Sequence, residues 1–511
     1  MAQCFDYSSW SKEEKKDVIN DLTFTLTNFN YKSKTFTYYR LQKPSLIYIP
    51  YAYGRKLLVS SMGKEDNFTY KLNTHKDIKK DFTFNGVISQ ETNREQVDVF
   101  NKAINFMNNY GTCILNIDPS YGKTRIGTAI SAYFKVKTLV IVPIVTLINN
   151  WYDSYNSDTN AKTVIFTNAA LKKGSKDSSV KTSKNNKFSV ITEKDLEEAD
   201  IIICNVQNAS KLPEEIKGKI AMLILDEAHM FCSLTRITTV LQFRPVYIVS
   251  LSATLCGYHK FIDHLCNNDT IIKKIIVRDY KLYKVNTGIT AKESYRGYGS
   301  IKKLDWSNCL NYIFNVSERN NIIYNIVSKE LANSKTILIL TKTKEHVDLM
   351  FNEIKNKVTD SVEWMYESKN TYNVSDVLIG TFSKIGTGMD QVNSCIGFTG
   401  KRFNCIIICC TLKEETIFGQ SFGRGFRDES TIFYYLVDLN NAFNRHWKIN
   451  LKWLRERKFV ISELDKNLQE VKNEKIKKNK NDSVDLYYTE DNDLDNDYDE
   501  FIDDIHYSDE E

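Results

Sequence analysis

Asn116-Ile117-Asp118-Pro119-Ser120-Tyr121-Gly122-Lys123-Thr124 follows an apolar run, Thr112-Cys113-Ile114-Leu115, that reads as a buried strand. Ile126, Ala129, Ile130, Tyr133 and Phe134 then recur at helical spacing, so the turn opens a helix. Strand, tight turn and helix in that order make a cradle for a polyphosphate. The helix N-terminus offers unpaired N–H groups and a partial positive charge. Lys123 has the reach for β- and γ-phosphates, and the Thr124 hydroxyl can ligate Mg²⁺. The usual pattern has Gly at the first position, where this chain has Ile117.

Short β-branched runs alternate with helix-length segments on both sides of this turn. Thr138–Val142, Val164–Phe166, Ile201–Cys204, Met222–Leu225 and Val246–Val249 follow it, and a helical stripe of Val97, Phe100, Ile104 and Met107 precedes it. A second cycle of the same grammar contains Thr336–Leu340, a stripe of Val347, Met350, Phe351 and Ile354, then Val377–Gly380, Cys405–Ile408 and Ile432–Val437. Such alternation predicts parallel sheets covered on both faces. The expected organisation is a small β-rich N-terminal domain over 1–80, a first α/β domain over 81–280, a linker over 281–310 and a second α/β domain over 311–450. A helical basic extension over 451–480 and a disordered acidic tail over 481–511 complete it. Aromatics of the N-terminal part serve either core packing or base stacking.

Two further constellations carry chemistry. Leu223-Ile224-Leu225-Asp226-Glu227-Ala228-His229 is a strand ending in adjacent carboxylates. That arrangement suits Mg·ATP hydrolysis, with Asp226 on the Mg²⁺ shell and Glu227 polarising the attacking water. Ser252-Ala253-Thr254, at the end of the following strand, is placed to couple ATP to a second ligand. In the second half, Gln420-Ser421-Phe422-Gly423-Arg424-Gly425-Phe426-Arg427 puts two arginines three apart on a helix, available to charge on a transferring γ-phosphoryl group.

Bulk properties bound the partners. Of 511 residues, 69 are Lys or Arg and 64 Asp or Glu, yet no Lys or Arg follows Lys480. A basic body with an acidic C-terminal stretch favours a polyanion and lets the tail compete for the same surface. The Lys- and Ser-rich stretch between Leu171 and Phe188 reads as a loop. The 11 Cys form no C-x-x-C pair, which favours reduced thiols over zinc or disulfides. No signal peptide and no membrane-length apolar run is apparent, so a soluble intracellular protein is expected.

Taken together, residues 85–445 resemble the superfamily 2 helicases. Gly122-Lys123-Thr124 matches motif I, Val142-Pro143 with Trp151 motif Ia, Asp226-Glu227-Ala228-His229 motif II and Ser252-Ala253-Thr254 motif III. Leu340-Thr341-Lys342 with Glu345-His346 is similar to motif IV. Gly380-Thr381 through Gly386-Thr387-Gly388-Met389-Asp390 is similar to motif V, and Gln420 to Arg427 to motif VI. Within the superfamily the chain looks most like the transcript-release DNA helicases of poxviruses and other large cytoplasmic DNA viruses, and more distantly the XPB type.

The resemblance implies two tandem RecA-like domains, ATP and Mg²⁺ as cofactors, and a nucleic-acid-dependent ATPase. Its nucleotide site would comprise Gln96 at the adenine, the loop Ser120, Tyr121, Gly122, Lys123 and Thr124, and His229, Gly388, Asp390 and Gln420. Catalysis would rest on Lys123, Asp226, Glu227, Arg424 and Arg427, and Thr124 and Asp226 would hold Mg²⁺. Strand contacts would come from Pro143, Lys342 and Thr381. DNA is the implied polymer and transcription-complex proteins the implied partners, for a monomer in the host cytoplasm or virion. An RNA helicase of the Asp-Glu-Ala-His type is the alternative, and a nucleic-acid-binding scaffold with a decayed ATPase a third reading. Pro119, Ser120 and Leu255 also depart from the common pattern, without removing an atom that hydrolysis needs.

Overall fold

The computed structural model describes residues 2–27, 33–42, 45–61, 80–90, 95–169, 191–253, 261–296, 303–386 and 389–471. The 171–188 stretch, Thr254, Leu255, Gly388, the basic run 472–480 and the acidic tail lie outside the described residues.

Two seven-stranded sheets organise the chain, and every strand pair in both is parallel. The first runs in the spatial order Ile271–Lys274, Thr112–Ile117, Tyr247–Ser252, Met222–Leu225, Thr138–Val142, Ile201–Asn205 and Thr163–Ile165. Its central strands are buried along their whole length, which is why they read as unbroken apolar runs. The order places the C-terminal ends of Thr112–Ile117, Tyr247–Ser252 and Met222–Leu225 side by side. Motifs I, III and II thereby meet at one edge of the sheet, where open α/β sheets bind ligands.

The second sheet runs Val362–Met365, Val377–Thr381, Ile337–Thr341, Cys405–Ile408, Ile432–Val437, Lys281–Asn286 and Val460–Leu464. Both sheets are flanked by helices, giving the two tandem RecA-like lobes. Two boundaries differ from the sequence expectation. Lys281–Asn286, expected as linker, is an interior strand of the second sheet, in register with Ile432–Val437. The described part of the extension expected as helical over 451–480 divides into the end of a helix over Asn441–Glu456 and the edge strand Val460–Leu464. The helix stops because Lys458 turns to φ +56°, and the strand then pairs with Lys281–Asn286.

The N-terminal part mixes strands with helices over Lys12–Asp21 and Tyr51–Ser61. An antiparallel trio, Ala2–Asp6, Leu46–Pro50 and Arg40–Gln42, adjoins a hairpin of Thr23–Thr27 with Ser33–Thr37. Phe5, Trp10, Leu22, Tyr38, Ile47 and Ile49 share one apolar cluster with Ile114, Leu139, Leu223 and Ile248 of the first sheet. The segment is therefore a cover for one face of that sheet; of its described aromatics, Phe5, Trp10, Phe36 and Tyr38 are core residues, while Tyr7, Phe24, Tyr39, Tyr48, Tyr51 and Tyr53 are half-buried. The helix over Gln96–Tyr110 buries Gln96, Val99, Ala103, Ile104 and Met107, so its inward face is rotated from the expected stripe and leaves Val97 and Phe100 half-buried.

Candidate active site

The phosphate loop leaves the strand Thr112–Ile117 and enters the helix Lys123–Phe134. Ser120 at φ +64° and Gly122 at φ +103° make the turn. Glycine is needed at 122 twice over, for that backbone angle and because a Cβ there would collide with Gln96 Nε2. Gln96 itself is buried, accepts from Ser89 N at 2.8 Å and donates to Tyr121 O at 2.7 Å. The residue expected to read adenine thus braces the loop with one amide hydrogen, while its carbonyl holds Ser89 N. Lys123 Nζ donates to Ile117 O at 3.0 Å, folded back on its own loop.

Beside the loop, Asp226 is buried with both oxygens engaged. Trp151 Nε1 donates to Oδ2 at 2.8 Å, and Glu227 N donates to Oδ1 at 3.0 Å. Burial first, and the Glu227 charge second, push its carboxyl up to about 6. Glu227 adopts φ +47°, ψ +54°, a left-handed conformation costing a non-glycine residue ~1–3 kcal/mol. Its Oε2 is buried without a hydrogen-bond partner. His229 Nδ1 lies 2.9 Å from Ser252 Oγ and 3.5 Å from Glu227 Oε2, physically joining motifs II and III. Burial and the Lys123 charge push His229 down to about 4, so its ring is neutral at pH 7.

Motif VI reaches the same place from the second lobe. Its helix ends at Gly423, and the chain continues through Arg424 into a 3₁₀ turn over Gly425–Arg427. Arg424 is half-buried and donates to the carbonyls of Gly386 and Met389, while its Nε has no partner. Burial and the neighbouring Arg427 lower its guanidinium to about 9, opposed by Asp390 and by Glu227 across the cleft. Arg427 pairs with Asp390 at 3.1 Å and is the more accessible of the two. A half-buried cation in electrostatic reach of a carboxylate with one oxygen unpartnered suits the charge distribution of a Mg·polyphosphate.

The expected strand contacts fare differently. Pro143 and Thr381 are buried, and Thr381 Oγ1 accepts from Ser383 Oγ at 3.3 Å, leaving Lys342 as the half-exposed member. Gln420 is buried with Oε1 unpartnered. His346 of motif IV is a core residue, stacked on Phe314 at 4.0 Å and bonded to Thr341 Oγ1 at 2.6 Å. Sequence reading gave Trp151 no chemical role, because its bond to Asp226 spans 75 positions. Asp118 and Arg457, which meet behind the loop, were likewise invisible as a pair.

Known proteins are similar to this chain over much of its length. A family model described as the res subunit of type III restriction enzymes matches residues 89–256. A protein of Invertebrate iridescent virus 6, provisionally named helicase 161L, is 24% identical over 71% of this chain and 80% of its own length. One of Acanthamoeba polyphaga mimivirus, provisionally named ATP-dependent RNA helicase L396, is 24% identical over 88% of this chain and 83% of its own. Among solved structures, Saccharomyces cerevisiae Dbp5 bound to RNA and ADP BeF3 aligns over 72% of this chain and 90% of its own, at 13% identity and a TM-score of 0.48. The chain is an enzyme, a nucleic-acid-dependent ATPase with the fold and motif order of a superfamily 2 helicase.

Proposed function

We propose that the enzyme is a DNA-directed motor that hydrolyses Mg·ATP in the cleft between its lobes. One observation carries the reading: Glu227 of the first lobe, whose Oε2 is buried without a hydrogen-bond partner, interacts electrostatically with Arg424 of the second. Lys123 and the loop N–H groups would bind the phosphates, with Thr124 and Asp226 holding Mg²⁺. The ion neutralises phosphate charge. Glu227 would orient and deprotonate the attacking water, and Arg427, freed from Asp390, would meet charge developing on the γ-phosphoryl group. Ser252 would relay the state of motif II through His229 to the strand-binding face.

Polymer contacts would fall mostly on phosphates, hence be sequence-tolerant and weakened by salt. The similarity to helicases of large DNA viruses supports a role in viral transcription, such as transcript release, or in replication, within the host cytoplasm. The alternative is an RNA substrate, which the name carried by the mimivirus protein favours. Turnover measured with no polymer, single-stranded DNA, duplex DNA and RNA of matched length tests both. Stimulation by DNA with little by RNA is the expected result. Stimulation by RNA alone transfers the reading to the alternative, and absence of turnover overturns both.

A further inference from the structure

The phosphate loop is gripped from the second lobe. Asp118, within that loop, receives Arg457 Nε on Oδ2 at 2.9 Å and Arg457 Nη2 on Oδ1 at 2.6 Å. A third hydrogen bond reaches Oδ2 from Ile276 N at 2.8 Å. Both side chains are buried, at 3% and 5% exposure. Arg457 follows the helix Asn441–Glu456, and its guanidinium carbon sits 3.7 Å over the Trp453 ring. The next two loop residues also touch the second lobe. Ser120 Oγ donates to Gly423 O at 2.9 Å, and Pro119 fills the space that a Cβ on Gly423 would need.

A carboxylate is out of place in a loop built to receive phosphates, since like charges so close repel. Here a planar fork cancels it in bidentate geometry, which a lysine cannot reproduce. Asp118 is also where three parts of the chain converge. Its N–H donates to Lys274 O on the last strand of the first sheet, and its carbonyl lies 3.5 Å from Lys123 Nζ. We propose that Arg457 is a positioning residue for nucleotide: it neutralises Asp118 and fixes the phosphate loop from the second lobe, so that lobe arrangement and phosphate grip change together. The inference rests on the ATPase reading.

The test uses the full chain, with equilibrium binding of a fluorescent ATP analogue, steady-state hydrolysis and thermal unfolding. Arg457→Gln leaves a bare carboxylate in the loop and should weaken nucleotide binding and raise the KM for ATP at least about tenfold, with a smaller change in kcat. Adding Asp118→Asn removes that carboxylate and should recover most of the loss, a non-additivity that packing damage does not produce. Arg457→Lys, which keeps the charge without the fork, should fall between and serves if Arg457→Gln fails to fold. Unchanged affinity in Arg457→Lys and Arg457→Gln overturns the proposal. So does an affinity loss that merely follows the folded fraction with no recovery in the double variant. A wild-type chain that binds nucleotide but hydrolyses none refutes the ATPase reading alone, leaving binding to judge the pair; one that binds no nucleotide refutes both.

Discussion

Asp226 and Glu227 sit next to one another in sequence yet are held in opposite ways. Each oxygen of Asp226 accepts one hydrogen bond, from Trp151 and from a backbone N–H, whereas Glu227 keeps a buried oxygen without a partner. Glu227→Gln, like Lys123→Ala, should therefore abolish hydrolysis while polymer binding persists in a gel-shift assay; normal turnover by either would refute the assignment. Trp151→Phe keeps the ring but deletes the N–H to Asp226. Loss of a partner that orients a metal-binding carboxylate commonly weakens metal binding about 10- to 100-fold. The Mg²⁺ concentration for half-maximal turnover should rise accordingly, and an unchanged Mg²⁺ titration would show that the bond is idle. At this scale the sequence was most legible where chemistry is local. Gly122-Lys123-Thr124 and Asp226-Glu227 could be read directly, but the partners of Trp151, Arg424 and Arg457 lie far along the chain.

Among elements, the strands that sequence reading missed include Ile271–Lys274 and Val362–Met365, at one edge of each sheet, and the two that close the other side of the second sheet. Lys281–Asn286 buries only Leu282 and Val285, three apart, so it shows neither the alternation nor the apolar run that marks a strand. Val460–Leu464 is an edge strand whose residues are mostly part-exposed. Interior strands such as Ile337–Thr341 and Met222–Leu225, buried throughout, were plain. The same region holds the most deeply buried ion pair among the described residues. Arg319, on the helix Ser317–Ala332, donates Nε to Asp438 Oδ1 at 2.9 Å, with both side chains at 0% exposure. Thr287, just past Lys281–Asn286, donates to the same oxygen at 2.6 Å. Helix and two strand ends are thus joined at one carboxylate. Arg319→Met would strand that charge in the core and should cost about 3–5 kcal/mol. Urea unfolding measures it, and a loss below about 1 kcal/mol would refute the account.

Over the whole molecule, buried imidazoles set the acid limit. His229 is lowered to about 4, and His346 lies well below its usual range through burial and the Arg319 charge. Below pH 6.5 the unfolded chain takes up protons on these rings that the folded chain refuses, so stability present above 6.5 is lost as pH falls towards 4. Asp226 opposes them, since between about 6 and 3.8 the folded state binds its proton first. Two histidines against one aspartate should leave a net loss. Melting temperature should drop from pH 7 to pH 5, and a rise would show that Asp226 outweighs the pair. Turnover at limiting Mg²⁺ should fall towards acid pH as well, because protons compete with the ion for Asp226.

The N-terminal segment has a consequence for how the protein is made. Phe5, Trp10 and Ile49 find their apolar partners on Leu223 and Ile248, which leave the ribosome long after them. The growing chain must therefore carry an uncovered greasy hairpin through most of the synthesis of the first lobe. Lys281–Asn286 faces the same wait for Val460–Leu464. Vectorial folding is closed to this protein at both ends, and its nascent form is a natural client for chaperones that shield extended hydrophobic chains.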